Sequence, residues 1–234
     1  MPRLLVHVEG ETEEVFVNEV LGGRLLACGY ERVGARLLGN ARQRDRRGGI
    51  RGWDTVKRDI IRHLTEDPGC IATTMIDYYG LPQSGEKAWP GRAHATSLPV
   101  ANKGPHVETA LLDDLVNLMG PGFDRRRFLP FVVMHEFEGL LFSDCEAFAR
   151  GVGQDALADP LQEIRDQFDT PEDINDSPIT APSKRVEALI PGYAKPLFGN
   201  LAALEIGLET ITTACPHFRI RRAELEARAS LAVG

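Results

Sequence analysis

Three nearly uninterrupted apolar runs constrain the fold of this chain more than any other feature. They cover residues 4–8, 70–76 and 128–134, and a weaker alternating run covers residues 32–38. Continuous apolar strands are typical of parallel sheets that are buried on both faces. Segments with apolar residues at helical spacing separate these runs, so the connections are predicted to be right-handed crossovers. We therefore expect an α/β fold whose central, mainly parallel sheet has about four strands flanked by helices.

The same spacing divides the chain into two parts. Up to residue 150 we expect helices at 12–27, 53–65, 107–119 and 137–149. Thr12 is expected to cap the first helix, and the Gly- and Pro-rich connector over residues 80–105 is expected to lack regular structure. Beyond residue 150 only helical patches follow, at 156–167, 182–190, 199–213 and 221–230. The sequence thus predicts an α/β core over residues 1–150 and a helical extension over residues 151–234, packed on that core.

Composition excludes several classes of protein. Of the 234 residues, 43% are hydrophobic and 26% charged, as in soluble globular proteins. No apolar run approaches the roughly 20 residues of a transmembrane helix, and no secretory leader precedes the first strand, so we expect a cytoplasmic protein without a membrane partner. The four cysteines are far apart and form no C-x-x-C pair, which argues against a thiolate zinc site.

Acidic residues follow the predicted strands at the points where the strands end. Glu9 follows the first run, Asp77 the third, and Glu136 and Glu138 the fourth. The carboxyl ends of parallel strands meet at one edge of a sheet, so these carboxylates should converge there. Because clustered carboxylates repel one another unless a cation lies between them, we expect a Mg²⁺ or Mn²⁺ site and phosphoryl-transfer chemistry.

The members of this site are expected to differ in role. Glu9, at the end of a buried strand, is predicted to be both a metal ligand and the acid/base. Glu13 either takes part in catalysis or only complements the helix dipole. Glu136 and Glu138 should face opposite ways on an extended backbone, so one of them should reach the metal; we favour Glu138 but retain Glu136.

Basic residues supply candidate contacts to a phosphate. Lys184 is the predicted catalytic lysine, Lys195 is a second cation nearby in sequence, and Arg185 is a predicted substrate contact. The alternative is that these cations are only surface charges at the start of a helix. The net charge of -7 and a pI of about 5.4 argue against binding nucleic acid by bulk charge. One local basic loop remains, which is either a solvated connector or a grip on the substrate backbone. It consists of Arg42, Arg44, Arg46, Arg47 and Arg51.

These motifs together resemble the Toprim fold of topoisomerases, primases and overcoming-lysogenization-type nucleases. Glu9-Gly10 and Glu13 match its first motif, and Asp77 matches the first aspartate of its Asp-x-Asp motif. Tyr79 stands where that motif has its second aspartate. The resemblance implies a Toprim-like, Rossmann-like core with Glu9 as acid/base or metal ligand, and Asp77 as metal ligand.

The chain is more closely similar to the small stand-alone Toprim-like family catalogued as domain of unknown function 4276. The resemblance covers nearly the whole chain. The stretches that carry it are Val8-Glu9-Gly10-Glu11-Thr12-Glu13, Asp77-Tyr78-Tyr79-Gly80-Leu81-Pro82, His135-Glu136-Phe137-Glu138-Gly139-Leu140-Leu141-Phe142, Pro171-Glu172-Asp173-Ile174-Asn175-Asp176, Pro182-Ser183-Lys184-Arg185 and Cys215-Pro216-His217-Phe218.

The family resemblance implies a biological role. It implies a metal-dependent nuclease acting on RNA, including tRNA, or on DNA, that serves as a toxic effector in bacterial anti-phage defence. An ABC-type ATPase would be its protein partner and would restrain it. Apart from the resemblance, a homodimer is one candidate form of the released protein. The alternative is a non-catalytic Toprim-like module that only binds the ATPase, and Tyr79 in place of an aspartate favours that alternative.

Overall fold

The computed structural model describes residues 1–38, 51–175 and 177–230. Its centre is a parallel sheet with the strand order β2-β1-β3-β4, and β5 also pairs with β3. The strands are β1 (Arg3–Val8), β2 (Arg32–Leu37), β3 (Cys70–Asp77), β4 (Phe128–Leu129) and β5 (Val132–Val133). The predicted α/β class and its mainly parallel sheet are therefore confirmed.

Helices flank this sheet and make up the described part of the chain beyond β5. In the first half they are α1 (Glu11–Val15), α2 (Gly22–Ala27), α3 (Trp53–Glu66), α4 (Arg92–Ala95) and α5 (Val100–Met119). After β5 follow α6 (Glu138–Leu141), α7 (Cys145–Gly151), α8 (Ala158–Arg165), α9 (Pro182–Leu189), α10 (Asn200–Ile206), α11 (Leu208–Ala214) and α12 (Pro216–Arg228). Two π-helical segments, Phe16–Leu21 and Lys195–Gly199, join α1 to α2 and lead into α10.

The strand order contains a topological switch point between β1 and β3. From β1 the chain moves to β2 on one side, and later strands are added on the other side, beyond β3. β1 and β3 are in register, with Val8 opposite Met75. In open α/β sheets the crevice for a ligand lies at the carboxyl ends of the strands at such a point.

Each face of the sheet is covered by its own hydrophobic cluster. Leu4, Val6 and Val8 of β1 belong to the cluster that contains Phe16 and residues of the C-terminal helices as far as Ala229. The opposite cluster joins Ala72 and Ile76 of β3 to residues of α3 and α5. Alternate residues of a strand point to opposite faces, so both faces need apolar residues, which explains the uninterrupted apolar runs.

The prediction of one continuous strand over residues 128–134 was wrong in detail. The run forms two short strands, β4 and β5, that are interrupted at Pro130 and Phe131. Proline has no amide hydrogen and cannot donate to the ladder. Thr74 fills the gap, because its hydroxyl accepts from the amide of Phe131 at 2.9 Å and lies 2.8 Å from the carbonyl of the same residue.

Three helix predictions also need correction. The first helix begins at Glu11 with Gly10 as its N-cap residue, so Thr12 does not cap it. The helix predicted over residues 137–149 is split into α6 and α7, because Asp144 caps α7 through the amide of Ala147 at 2.9 Å. The last predicted helix begins earlier, at Pro216.

The connector over residues 80–105 is more ordered than expected. It contains α4, and α5 begins at Val100, so that Pro105 lies inside a helix. Pro105 is the sixth residue of α5 and has no amide hydrogen, so one intrahelical hydrogen bond is missing at this position. Trp89 anchors the connector, since its indole nitrogen donates to the carbonyl of Arg51 at 2.9 Å.

Buried carboxylates attach the last helix to the sheet. Glu172 accepts hydrogen bonds from the amides of His217 and Phe218, at 2.7 and 2.9 Å, and thereby caps α12. Glu108 of α5 accepts from the amide of Val132 at 2.9 Å and pairs with Arg221 of α12. Within the described residues, the longest apolar helical stretches fall short of what crossing a membrane would require.

His7 makes stability sensitive to acid. Its ring is buried between the Thr73 carbonyl, 3.2 Å from Nδ1, and the His63 ring, 3.1 Å from Nε2. Burial and the neighbouring His63 lower the pKa of His7 to about 3. The His7 ring therefore binds a proton near pH 6.5 in the unfolded chain but only near pH 3 in the folded protein. Stability is present above that pH and is lost as pH falls toward 3, by about 1.4 kcal/mol per pH unit.

We expect His7→Gln to remove this dependence. Relative to the variant, the unaltered protein should lose about 1.4 kcal/mol of unfolding free energy per pH unit between pH 6 and 4. Urea unfolding at several pH values measures this difference, in which the titration of groups that do not contact His7 cancels. The exposed His94 provides the control His94→Gln, which should leave the slope unchanged. Parallel slopes for the unaltered protein and His7→Gln would contradict this account of His7.

Candidate acidic site at the switch point

Glu9 and Asp77 lie at the switch point of the sheet. Glu9 directly follows β1, and Asp77 is the last residue of the neighbouring strand β3. Oδ1 of Asp77 accepts a hydrogen bond from the amide of Phe137 at 2.9 Å, which fixes this carboxylate against the turn after β5. Oε2 of Glu9 is buried and finds no hydrogen-bond partner among the described residues.

A left-handed residue redirects the chain after β5. His135 has a φ of 59°, an uncommon value for a residue other than glycine. Because the backbone turns here, Glu136 and Glu138 do not point to opposite faces, as an extended strand would require. Both lie in the acidic site: Glu136 adds its charge to the environments of Glu9 and Glu138, and Glu138 adds its charge to that of Asp77.

The extension supplies the groups that hold these two glutamates. The amide of Ser183, near the start of α9, donates to Oε2 of Glu136 at 2.8 Å. The ammonium of Lys195 lies 3.1 Å from each carboxylate oxygen of Glu138. Glu138 is almost fully buried, whereas the Lys195 side chain is 41% exposed. The lysine therefore enters the site from the solvent side.

Glu13 has a structural bond and a place in the cluster. Its Oε2 accepts from the amide of Gly10 at 2.9 Å and completes a capping box at the start of α1. Its charge also acts on Glu9 and Asp77. The two readings of Glu13, as a helix-start residue and as a member of the site, are thus both compatible with its position. We refer below to Glu9, Glu13, Asp77, Glu136 and Glu138 as the acidic cluster.

Burial raises the pKa values of Glu9, Glu13, Asp77 and Glu138, and repulsion by neighbouring carboxylates contributes at Glu9, Asp77 and Glu138. Burial, with the charge of Glu13, raises the pKa of Glu9 to about 7. Burial also raises the pKa of Asp77 well above its usual range, and Glu13, Glu9 and Glu138 raise it further. The pKa values of Glu13 and Glu138 are raised as well, chiefly by burial. A carboxyl group with a pKa near 7 can both take up and release a proton at neutral pH.

Lys195 is the cation that the cluster holds, although Lys184 was the predicted one. Burial opposes the charged form of Lys195, but Glu138, Asp77 and Glu136 outweigh it and raise its pKa. Lys184 instead pairs with Glu187 at 2.7 Å on the exposed side of α9. The charges of Glu136 and Lys195 still reach it, so its catalytic role stays a prediction.

The structure places the predicted arginines away from direct contact with the cluster, or does not describe them. Arg42, Arg44, Arg46 and Arg47 lie outside the described residues. Arg51 is exposed. Arg185 donates to the carbonyl of Thr180 at 2.8 Å, and its guanidinium lies 5.1 Å from the centre of the Phe168 ring. These contacts give Arg185 a role in fixing the start of α9.

The fit of the cluster to a divalent cation is partial. Carboxylate oxygens are the ligands that Mg²⁺ and Mn²⁺ prefer, and Oε2 of Glu9 has no other partner among the described residues. Over the described ranges, however, no three Asp, Glu, His or Cys side chains are arranged so that they could hold a metal ion. Asp77, Glu136 and Glu138 are bonded to Phe137, Ser183 and Lys195 instead. Water and substrate phosphates commonly complete a Mg²⁺ site of this kind.

Glu9 should destabilise the folded protein at neutral pH. Its pKa is higher in the folded protein, about 7, than the ordinary 4.5. Above pH 7 the folded protein therefore carries a charge that the unfolded chain accommodates more easily, and this cost disappears below pH 4.5. We expect Glu9→Gln to raise the free energy of unfolding by on the order of 2–3 kcal/mol at pH 8. The gain should shrink toward zero at pH 4.5.

Chemical unfolding in a chelating buffer at pH 8 and pH 4.5 measures this gain. Glu19→Gln is the matched control, because Glu19 is an exposed glutamate in the π-helical segment Phe16–Leu21. It should leave stability within a few tenths of a kcal/mol. A destabilised Glu9→Gln at pH 8 would show that the carboxylate is stabilised rather than strained by its surroundings.

Comparison with known proteins identifies the family. The family model described as Domain of unknown function (DUF4276) matches residues 8–226. No significant similarity was found to any curated protein or to any solved structure. The match spans all five members of the acidic cluster, together with Lys195 and the π-helical segment that it begins. Because the model covers most of its length, the chain belongs to the DUF4276 family.

Proposed function

We propose that this protein is a metal-dependent phosphodiesterase of the Toprim type that acts on RNA, including tRNA, or on DNA. The observation that carries the proposal is the convergence of Glu9, Asp77, Glu136 and Glu138 at the switch point of a parallel sheet. Structural folds of this class bind their ligands there. Burying several carboxylates costs free energy, so their burial together favours a role in binding or catalysis.

The residues of the chain have distinct roles in the proposed reaction. Glu9, with a pKa of about 7, takes a proton from the attacking water, whose oxygen forms the new bond to phosphorus. The bond from phosphorus to the leaving ester oxygen breaks, and that oxygen is then protonated. Asp77 and Glu138, with Glu9 and Glu136, are the groups that would hold Mg²⁺ or Mn²⁺. When bound, such a cation stabilises negative charge on the phosphoryl oxygens and the leaving oxygen.

A lysine at the same edge of the sheet would reduce the number of metal ions that the proposed site needs. Tyr79 replaces the second aspartate of the Toprim metal motif, so one carboxylate ligand is missing from the sequence. Lys195 places positive charge beside Glu138, and Lys184 lies within reach of the charge of Glu136. An ammonium group can neutralise charge on a phosphate where a second metal ion would otherwise do so.

The second candidate function is a non-catalytic module that binds an ABC-type ATPase. Tyr79 is the specific observation in its favour, together with the absence of a ready three-ligand metal group in the described ranges. On either reading we propose a cytoplasmic role in bacterial anti-phage defence, in which the ATPase restrains a toxic effector and the released effector acts as a homodimer. This role is inferred from the resemblance to Toprim nuclease effectors.

A cleavage assay separates the two functions. We expect the purified protein to cut tRNA or plasmid DNA in Mn²⁺ and to be inactive with a chelator. Glu9→Gln should lower the rate by about 100-fold or more, because it removes the proton acceptor. The control Glu19→Gln changes an exposed carboxylate in the π-helical segment Phe16–Leu21 and should retain full activity.

The outcomes of this assay are distinct. Equal cleavage by the unaltered protein and by Glu9→Gln would point to a contaminating nuclease. If neither cuts any substrate, with or without the ATPase, the binding module becomes the better account. Co-purification with the ATPase would then be retained by Glu9→Gln, because a docking surface does not depend on proton transfer.

The basic loop gives a separate prediction about nucleic-acid binding. We expect the triple change of Arg42, Arg44 and Arg46 to alanine to weaken binding to RNA and DNA of any sequence. Each lost phosphate contact should flatten the dependence of log K on log salt by about 0.9 on duplex DNA and about 0.7 on single strands. Fluorescence anisotropy across a salt series measures both effects. An unchanged slope would assign the loop to a connector or to the ATPase interface.

A further inference from the structure

Lys195 is positioned as a cation that the chain itself supplies to the acidic cluster. Its ammonium lies 3.1 Å from both carboxylate oxygens of Glu138, so it bridges them in the way a chelated cation does. The charges of Asp77 and Glu136 act on the same ammonium. A buried carboxylate needs a counter-charge, and Glu138 obtains its counter-charge from this lysine.

The segment that carries Lys195 is exposed along much of its length. Pro191, Gly192 and Ala194 are exposed just before it, and Gly192 has a φ of 80° in the connection after α9. Lys195 is the first residue of the π-helical segment Lys195–Gly199. Segments of π-helix are rare and are frequent at functional sites. Few buried apolar residues hold this stretch, so it can move at low cost.

The residues that attach this segment to the rest of the protein lie on either side of Lys195. Tyr193 stacks on Phe198, with ring centres 6.1 Å apart, and Gly199 lies against Thr12 and Phe137. A side chain at position 199 would meet the Tyr193 hydroxyl at 3.1 Å and Thr12 at 3.4 Å. The segment is thus held at its ends, while the long Lys195 side chain can swing out into water from between them.

We propose that Lys195 competes with a divalent cation for Glu138 and its neighbouring carboxylates, so that metal binding and the Lys195–Glu138 ion pair exclude each other. This inference rests on the proposed function, because it assumes that the acidic cluster binds Mg²⁺ or Mn²⁺. Two cations a few ångströms apart repel strongly in a half-buried site. The geometry agrees with this exclusion, since the ammonium of Lys195 lies 3.1 Å from both carboxylate oxygens of Glu138, where a cation bound to that carboxylate would also lie.

The exclusion would regulate the site. With the lysine paired, the cluster is stable without metal and poorly prepared to bind one. Anything that draws Lys195 away from Glu138, such as a substrate phosphate, would raise the affinity for metal. By linkage, metal and phosphate would then bind cooperatively.

Removal of the lysine tests the competition directly. We expect Lys195→Met to bind Mn²⁺ about tenfold more tightly or better than the unaltered protein at pH 8, because the repelling charge is gone. Electron paramagnetic resonance of free Mn²⁺ measures this affinity without any substrate. Lys87→Met is the matched control, since Lys87 is an exposed lysine, and it should bind Mn²⁺ as the unaltered protein does.

Each other outcome is informative. Equal or weaker Mn²⁺ binding by Lys195→Met would overturn the competition but leave the metal-dependent phosphodiesterase standing. If neither protein bound Mn²⁺, the competition would fall and so would the metal-dependent part of the proposed function. Cleavage by the unaltered protein in a chelating buffer would overturn the proposed function without any reference to Lys195.

A second measurement uses the unaltered protein, so it does not depend on the folding of a variant. An amine-acylating reagent should modify Lys195 slowly in the chelated protein and severalfold faster at saturating Mn²⁺, when the ammonium is released into water. Peptide mass spectrometry reports Lys195 and the reference Lys87 in the same sample. Unchanged acylation of Lys195 at saturating Mn²⁺ would overturn the proposal.

Discussion

Electrostatic repulsion among clustered carboxylates is the constraint on which the rest of this structure depends. The parallel sheet brings Glu9 and Asp77 to one edge, and the turn at His135 adds Glu136 and Glu138. Burial and the negative charges of neighbouring carboxylates both disfavour the ionised form of Glu9, which is why its pKa rises to about 7. The fold tolerates this edge only because backbone amides and one ammonium are directed at it.

Those compensating groups come largely from beyond the sheet. Glu136 receives the amide of Ser183, and Glu138 receives Lys195. The helices after residue 150 also share a hydrophobic cluster with β1 and the first helix. Glu172, between α8 and α9, binds the amides at the start of the last helix. Glu108 of α5 links that helix to the sheet, because it bonds to both Arg221 and Val132. The C-terminal helices therefore complete the acidic edge as well as cover one face of the sheet.

The sequence predicted the sheet well because its signal is local and repeated. Continuous apolar runs mark β1 and β3 to within one residue, and the acids at their ends follow from strand polarity. The interruption at Pro130 was visible in the sequence, but its repair by Thr74 depends on a neighbouring strand. Likewise, the direction of Glu136 depends on the φ of His135, and no propensity scale predicts a left-handed histidine.

The choice between Lys184 and Lys195 could not be made from spacing alone. Both lie in the extension, and their distances to the acids are set by how α9 and the segment after it dock, which involves contacts distant in sequence. A signal did exist in the residues around Lys195. Glycine at 192 and proline at 196 mark an irregular stretch, and side chains used for chemistry are often carried by such stretches.

The position of Lys195 late in the chain has a consequence during synthesis. A ribosome that has released the chain only as far as the end of α6 has already produced every carboxylate of the cluster, but neither Ser183 nor Lys195. At that stage the carboxylates at the edge of the sheet repel one another, and neither Ser183 nor Lys195 is present to bind Glu136 or Glu138. The partners of Glu136 and Glu138 arrive only with α9 and the segment that follows it, so the acidic site is complete only after residues 182–195 have been translated.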